Sequence, residues 1–289
     1  MLKYWLFRLA SLTLPLLPAP VCYGLASVSG DLAYLLAPGV RNVVCCNMRR
    51  ALGLSADERR VRRAARHVFR NAAKNHVDLF RLPHFDLDYL NRNLAIHGLE
   101  HFQSALEQGK GVIIATAHLG NFDLMAQVLA ARSHKFTVLV EALQPEPLFR
   151  LVTGLRSSRG LSFLPVGPGG LRATLRSLQR GEIVGVACDR YIQGSGMRVR
   201  FLDKEATLPT GAVDLALRTG AAVLPAFSIR QDGGRFALYI EPPLSFTISN
   251  GSELKENMER LVVPIEKYIR GYPEQWVIFR RVWQHGEER

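Results

Sequence analysis

The sequence predicts an α/β fold: a mostly parallel central sheet flanked by helices, with hydrophobic helices ahead of it. Two observations lead there. Short apolar runs bounded by turn residues alternate with helix-length segments from Leu94 to Ile269. Runs of this kind suit strands buried on both faces, and β–α alternation at this spacing gives parallel crossovers. Residues 1–37, by contrast, are apolar throughout, with Lys3, Arg8 and Asp31 as their charged side chains.

The first segment resembles a signal peptide at its start, with Lys3 and Arg8 near an apolar run. Pro15, Pro18 and Pro20 interrupt that run, a second apolar segment follows at once, and no A-x-A site precedes a polar stretch. A membrane-crossing helix needs ~20 uninterrupted apolar residues, and proline breaks helices. The reading is therefore two short hydrophobic helices, about 3–16 and 21–36, joined at Pro18-Ala19-Pro20. They either pack on the core or dip into one leaflet; Tyr4 and Trp5 beside Lys3 suit an interface. The chain divides into membrane-associating helices at 1–40 and an α/β body at 41–289.

Residues 41–82 read as helical, with Ser55 as N-cap and Glu58 completing a capping box. Leu94–Gly98 is a short strand, 100–108 a helix ended by Gly109, and Gly111–Ala117 a fully buried strand. His118–Asp123 forms a turn into a helix at 124–131. Strands at 137–140, 162–165 and 183–188 alternate with helices at 147–159 and 171–179. A polar glycine loop, Gln193–Gly196, leads to Val199-Arg200-Phe201-Leu202. A helix at 211–218, strands at 222–229 and 235–240, and a helix at 254–269 complete the pattern.

Charged residues make up 21% and hydrophobic ones 48%, a composition that fills a large core. The net charge of +12 attracts something acidic: nucleic acid, anionic lipid or an acidic carrier protein. The densest cluster, Arg59–Arg66, is either a solvated helix face or a site for phosphate-bearing headgroups. Zinc-finger spacing, aromatic–basic platforms and a recognition-helix signature are missing, which argues against nucleic acid. Cys22, Cys45, Cys46 and Cys188 form no CxxC. They fit neither a disulfide framework nor a metal site, and a reducing cytoplasmic setting is expected. His134 and His285 match no motif and read as surface residues.

In parallel sheets sites gather at the carboxyl ends of strands. His118, Glu141 and Asp189 each directly follow a buried run. His118 and Asp123 are five residues apart with Gly120 between them. A carboxylate on one imidazole nitrogen fixes the tautomer and leaves the other nitrogen as a base. The sequence has no GxSxG nucleophile elbow, and Cys188, at the end of an apolar strand, reads as a packed thiol. Direct attack by a bound hydroxyl is therefore preferred to an acyl-enzyme. Arg156 either binds phosphate or pairs with Asp189, Glu141 either positions a hydroxyl or caps a helix, and Asp189-Arg190 can be an internal ion pair. Asn121 reads as a turn residue.

His118-Leu119-Gly120-Asn121-Phe122-Asp123 resembles the HxxxxD/E motif of the lysophospholipid-acyltransferase-like superfamily. The chain from Asn47 to Trp283 is most similar to the bacterial branch of lipid A lauroyl/myristoyl and phosphatidylinositol mannoside acyltransferases. Gly98-Leu99-Glu100, Gly109–Ile113, Asp189-Arg190 with Gly194–Gly196, Ala206–Gly211, Leu217–Ala221 and Pro273-Glu274-Gln275-Trp276 carry the likeness. Phe201-Leu202-Asp203 departs from it, since many relatives have an aromatic residue and glycine there. The resemblance implies a glycerol-phosphate-acyltransferase-like fold at the cytoplasmic face of the plasma membrane. It implies transfer of a fatty acyl chain from acyl-CoA or acyl-carrier protein to a glycolipid hydroxyl, without a cofactor. His118 then matches the general base and Asp123 its orienting carboxylate, with Glu141, Arg156, Asp189 and Arg190 as substrate-binding positions. Two alternatives are a lysophospholipid or glycerol-phosphate acyltransferase, and a non-catalytic lipid-binding module.

Overall fold

The computed structural model describes residues 1–85, 88, 92–131, 135–157, 160–192, 195–247 and 253–283. His134, His285 and the Gln193-Gly194 part of the glycine loop lie outside the described residues.

The expected sheet is present, with seven strands among the described residues. In chain order these are β1 (Leu94–His97), β2 (Val112–Thr116), β3 (Phe136–Val140), β4 (Leu161–Pro165), β5 (Ile183–Ala187), β8 (Ala222–Arg230) and β9 (Phe236–Ile240). Across the sheet they run β1-β9-β8-β2-β5-β3-β4. All neighbours are parallel except β8 and β9, which a tight 3₁₀ turn at Asp232–Gly234 joins as an antiparallel pair. β2 is central and buried along its whole length. Alternate side chains of a strand face opposite layers: Ile113 and Ala115 enter one core, Val112 and Ile114 the other.

Helices cover both faces: α5 (Leu99–Glu107), α6 (Phe122–Ala130), α7 (Glu146–Arg156), α8 (Pro168–Gln179), α9 (Gly211–Thr219) and α10 (Glu253–Gly271). A separate hairpin, β6 (Gly196–Phe201) and β7 (Lys204–Pro209), packs through Phe201 and Leu208. Its turn residues Leu202 and Asp203 have φ of 50° and 64°, the backbone that two-residue hairpins require. Asparagine or glycine adopts it more readily, so Leu202 and Asp203 make a strained turn. Asp203 is held there by Arg270 at 2.7 Å.

The N-terminal helices are α1 (Leu2–Thr13) and α2 (Ala19–Leu36), followed by α3 (Pro38–Ala51) and α4 (Glu58–Arg81). The Pro18-Ala19-Pro20 corner starts α2, with proline in the first turn, where its missing N–H is not needed. α2 lies close against α4: a Cβ on Gly30 would sit 2.7 Å from Arg70 Cα. Asp31 then takes bidentate contacts from Arg66 and Arg70, whose hydrogen bonds hold its carboxyl well below the usual range. The cap of α4 is Asp57 and not Ser55. Asp57 is extended, and its carboxylate accepts the Arg60 N–H at 2.7 Å, while Glu58 pairs with Arg49 and Arg62. Among the described residues no helix is long and apolar enough to cross a membrane. On α2, Val21, Leu25, Val28, Leu32 and Leu35 form an exposed stripe, and α1 exposes Trp5, Leu6, Leu9 and Leu12.

Candidate active site

The order β2-β5-β3 brings three strand ends side by side, and the residues just beyond them meet. Thr116 at the end of β2 lies opposite Ala187 at the end of β5. The pairing continues one step further, with the Cys188 N–H donating to Thr116 O at 2.8 Å. His118 and Asp189 are thereby set next to each other.

The turn carrying His118 is pinned from three sides. Its carbonyl accepts the Val277 N–H at 2.8 Å, the Gly120 N–H donates to Gln275 O at 2.9 Å, and the Asn121 N–H donates to Ser228 O at 2.9 Å. Gly120 has φ of 61°, and a Cβ there would lie 1.7 Å from Ser228 O, so the turn admits no side chain. Asn121 is more than a turn residue: its side-chain oxygen accepts the Leu124 N–H at 3.0 Å and caps α6.

Asp189 is fully buried and spends both oxygens on this turn. Oδ1 lies 2.8 Å from His118 Nδ1. Oδ2 accepts the His118 backbone N–H at 3.0 Å and the indole N–H of fully buried Trp276 at 2.8 Å. Burial alone pushes the Asp189 carboxyl up; the charge of His118 and these hydrogen bonds outweigh it, and the carboxyl ends below its ordinary value. With Nδ1 engaged, Nε2 is the nitrogen left to meet a proton.

The sequence reading set Asp123 on His118. In the structure Asp123 faces Arg156, with Nε 2.8 Å from Oδ1 and a hydrogen bond from the terminal nitrogen to Oδ2 at 3.1 Å. Asp123 lies in the first turn of α6, whereas Asp189 arrives from the adjacent strand. The same contacts show that Arg156 does not serve Asp189. Arg156 also lies over the rings of Phe122 and Phe163, and its carbonyl accepts the Gln127 side chain. Arg190 pairs with Glu141 instead of Asp189, and Arg280 lies 3.7 Å from Glu141. Cys188 is buried, and desolvation pushes its thiol far up, as suits a packed side chain. Sequence reasoning read Asn121 as a turn residue and Trp276 as part of a family motif without a contact to Asp189; nothing in linear spacing joins position 276 to 189.

Several of these groups line a cavity of about 880 Å³. His118, Asp123, Glu141, Arg156 and Arg190 line it, while Ile114, Phe136, Val138, Leu148, Val152 and Phe163 make much of it apolar. Its size lies in the ~300–1,000 Å³ range of ligand sites. Lys3 and Phe7 of α1 and His76 of α4 complete the wall. His76 is open to the cavity yet largely enclosed by protein, and that desolvation lowers its pKa. Among the described residues no group of three His, Cys, Asp or Glu side chains could hold a metal ion.

Fold and site define a class: a mostly parallel α/β protein with a carboxylate-backed histidine in the lining of a largely apolar cavity. The chain belongs to the bacterial lipid A biosynthesis acyltransferase family, whose match runs over residues 1–285. It is similar to phosphatidylinositol mannoside acyltransferase of Mycobacterium tuberculosis (strain ATCC 25618 / H37Rv), 29% identical over 212 residues, covering 71% of this chain and 66% of the relative. It is 28% identical over 210 residues to the Mycolicibacterium smegmatis protein of the same name, covering 71% and 67%. It is 24% identical over 197 residues to lipid A biosynthesis palmitoleoyltransferase of Escherichia coli (strain K12), covering 64% and 60%. The matched stretch therefore spans less than two thirds of the length of the Mycobacterium tuberculosis relative, at 66%, and of the Escherichia coli relative, at 60%.

Proposed function

We propose that this chain transfers a fatty acyl group from an acyl thioester, acyl-CoA or acyl-carrier protein, to a hydroxyl of a membrane glycolipid. One observation carries the reading: His118, backed by a buried carboxylate, opens onto an apolar cavity large enough for an alkyl chain. In this reaction His118 Nε2 takes the proton of the acceptor hydroxyl. The oxygen attacks the thioester carbonyl, the C–S bond breaks, and the departing thiolate takes the proton back from the imidazolium. Asp189 keeps Nδ1 protonated and stabilises the imidazolium, a role the sequence reading gave to Asp123. Backbone amides or Arg156 stabilise the oxyanion, where losing one donor typically costs ~10²–10³-fold in rate. No metal or redox group enters this chemistry.

Each alkyl CH₂ buried in the cavity contributes ~0.8 kcal/mol, so the cavity selects for long chains. In its lining Glu141 and Arg190 present a carboxylate and a guanidinium group, with Arg280 3.7 Å from Glu141, suited to sugar hydroxyls and phosphate. Identity is higher to the mannoside enzymes, at 28–29%, than to the lipid A enzyme, at 24%. This favours a phosphatidylinositol mannoside acceptor over a lipid A precursor. Residues 1–40 embed their exposed apolar side chains in one leaflet at the cytoplasmic face, and the body at 41–289 carries the reaction. Arg59, Arg60 and Arg63, exposed on α4, add attraction to anionic headgroups.

The test is release of free thiol from acyl-CoA with either acceptor, with mass spectrometry of the lipid product, for wild type and His118→Gln. A new acylated lipid that disappears with His118→Gln supports the reading. Turnover by the variant, or lipid binding without thioester consumption by wild type, overturns it.

A further inference from the structure

Behind the His118 turn lies a buried polar network that the acyl-transfer steps do not use. Its centre is Asp78 of α4, almost fully buried. Oδ1 accepts the hydroxyl of Tyr23 at 2.6 Å. Oδ2 accepts the side-chain N–H of Asn121 at 2.7 Å and pairs with Arg230 of β8. Arg230 also donates to Asn75 Oδ1 at 3.0 Å, and Asn75 donates in turn to Gly120 O at 2.7 Å. Burial pulls the Arg230 guanidinium toward neutrality, but the Asp78 charge outweighs it and holds the cation.

Two consecutive residues of the turn are thus held from α4, Gly120 through its carbonyl and Asn121 through its amide. The second link matters most. Asn121 uses one end of its side chain to cap α6 and the other to meet Asp78. A shift of Asp78 is therefore passed to the turn that aims His118. The remaining Asp78 oxygen is tied to Tyr23 of α2, the helix whose outer stripe is exposed and apolar. If the Tyr23 bond is lost, a buried carboxylate oxygen loses a donor, and the network must rearrange to recover one.

We propose that Asp78 is a positioning residue for His118, and that Tyr23 makes the aim of that histidine depend on the seating of α2. The proposal rests on the reading of His118 as the base. Asp78→Asn leaves a buried cation without its partner and can simply unfold the chain, so the test uses milder changes. Tyr23→Phe removes one hydroxyl. Asn121→Ser keeps a capping oxygen but does not reach Asp78.

The full chain in detergent, as wild type, both single variants and the double, is assayed for kcat and for KM with acyl-CoA. The ¹⁵N imidazole signals of His118 are recorded alongside, assigned by their loss in His118→Gln. Each single variant should lower kcat ~10-fold, the scale of a sub-ångström misplacement, with KM within about twofold. The double variant should be no worse than about the poorer single one, because both changes cut the same connection. The His118 nitrogens should move toward each other in shift as the tautomer loses definition. Unchanged kcat and imidazole signals with a lowered melting temperature would show that the network serves only the fold. Losses that multiply to ~100-fold would show two independent effects and no relay. If wild type consumes no thioester, the proposed function fails, and the imidazole spectra of the variants alone decide whether the network sets His118.

Discussion

Replacing Asp189 with asparagine exchanges one oxygen for an NH₂ group, and the surroundings dictate which one. Two donors, the His118 backbone N–H and the Trp276 indole N–H, converge on Oδ2 at 3.0 and 2.8 Å. The asparagine carbonyl must occupy that position, because an NH₂ there would face two donors with nothing to accept them. Its NH₂ group then points at His118 Nδ1, 2.8 Å away in the wild type. Nδ1 must become the acceptor, the proton moves to Nε2, and the nitrogen facing the cavity has no lone pair for the hydroxyl. A wrong tautomer at a carboxylate-backed histidine costs ~10⁴-fold in kcat, about 5.5 kcal/mol of barrier. Asp123→Asn weakens a pair with Arg156 and should cost ~10²-fold at most, through misplacement. Thiol release under saturating acyl-CoA measures both, and ¹⁵N imidazole shifts report the tautomer directly. Asp189→Asn within tenfold of wild type, or Asp123→Asn matching it, would refute the reasoning and return the orienting role to Asp123.

Trp276→Phe removes one of the two donors on Asp189 Oδ2. It should lower kcat ~10-fold and stability by ~1.5–3 kcal/mol, the range for a hydrogen bond to a charged group, read by urea unfolding. Because the folded-state pKa of Asp189 is depressed, its stabilisation is fully present above ~3.9 and is lost as pH falls through the folded value. Unfolding free energy should therefore fall less steeply between about pH 5 and pH 3 in Asp189→Asn than in wild type; equal slopes would contradict this. Gly120→Ala sets a methyl group onto Ser228 O. It should abolish turnover and lower the melting temperature, whereas full activity would mean the turn is not held as described. Asp203→Gly relieves a positive φ but loses an exposed ion pair with Arg270. The two effects are each ~1 kcal/mol and opposed, so urea unfolding should show little net change.

Local pattern was enough to place most of the sheet. β2, β3, β5, β8 and β9 begin and end within a residue or so of the apolar runs that mark them. A strand buried on both faces must be apolar at every position, and that demand is written in consecutive residues. His118, Glu141 and Asp189 were legible as a group for the same reason: each follows such a run, and parallel strands end on one side. Exposed helix ends were less legible. Ser55 and Asp57 are both good caps, and the backbone angles of one turn chose Asp57.

The partner of His118 was beyond reach of any local rule. Asp123 is near in sequence, but Asp189 is near in space because β5 inserts between β2 and β3. Strand order and register are settled by packing over the whole sheet, and the same packing sends Asp123 to Arg156 and brings Trp276 back from the far end of the chain. By itself the sequence determined which side chains can do chemistry and which end of the sheet displays them. Only the tertiary structure decided which carboxylate holds the imidazole, since hydrogen bonds depend on ångström-scale distances that no spacing along the chain encodes.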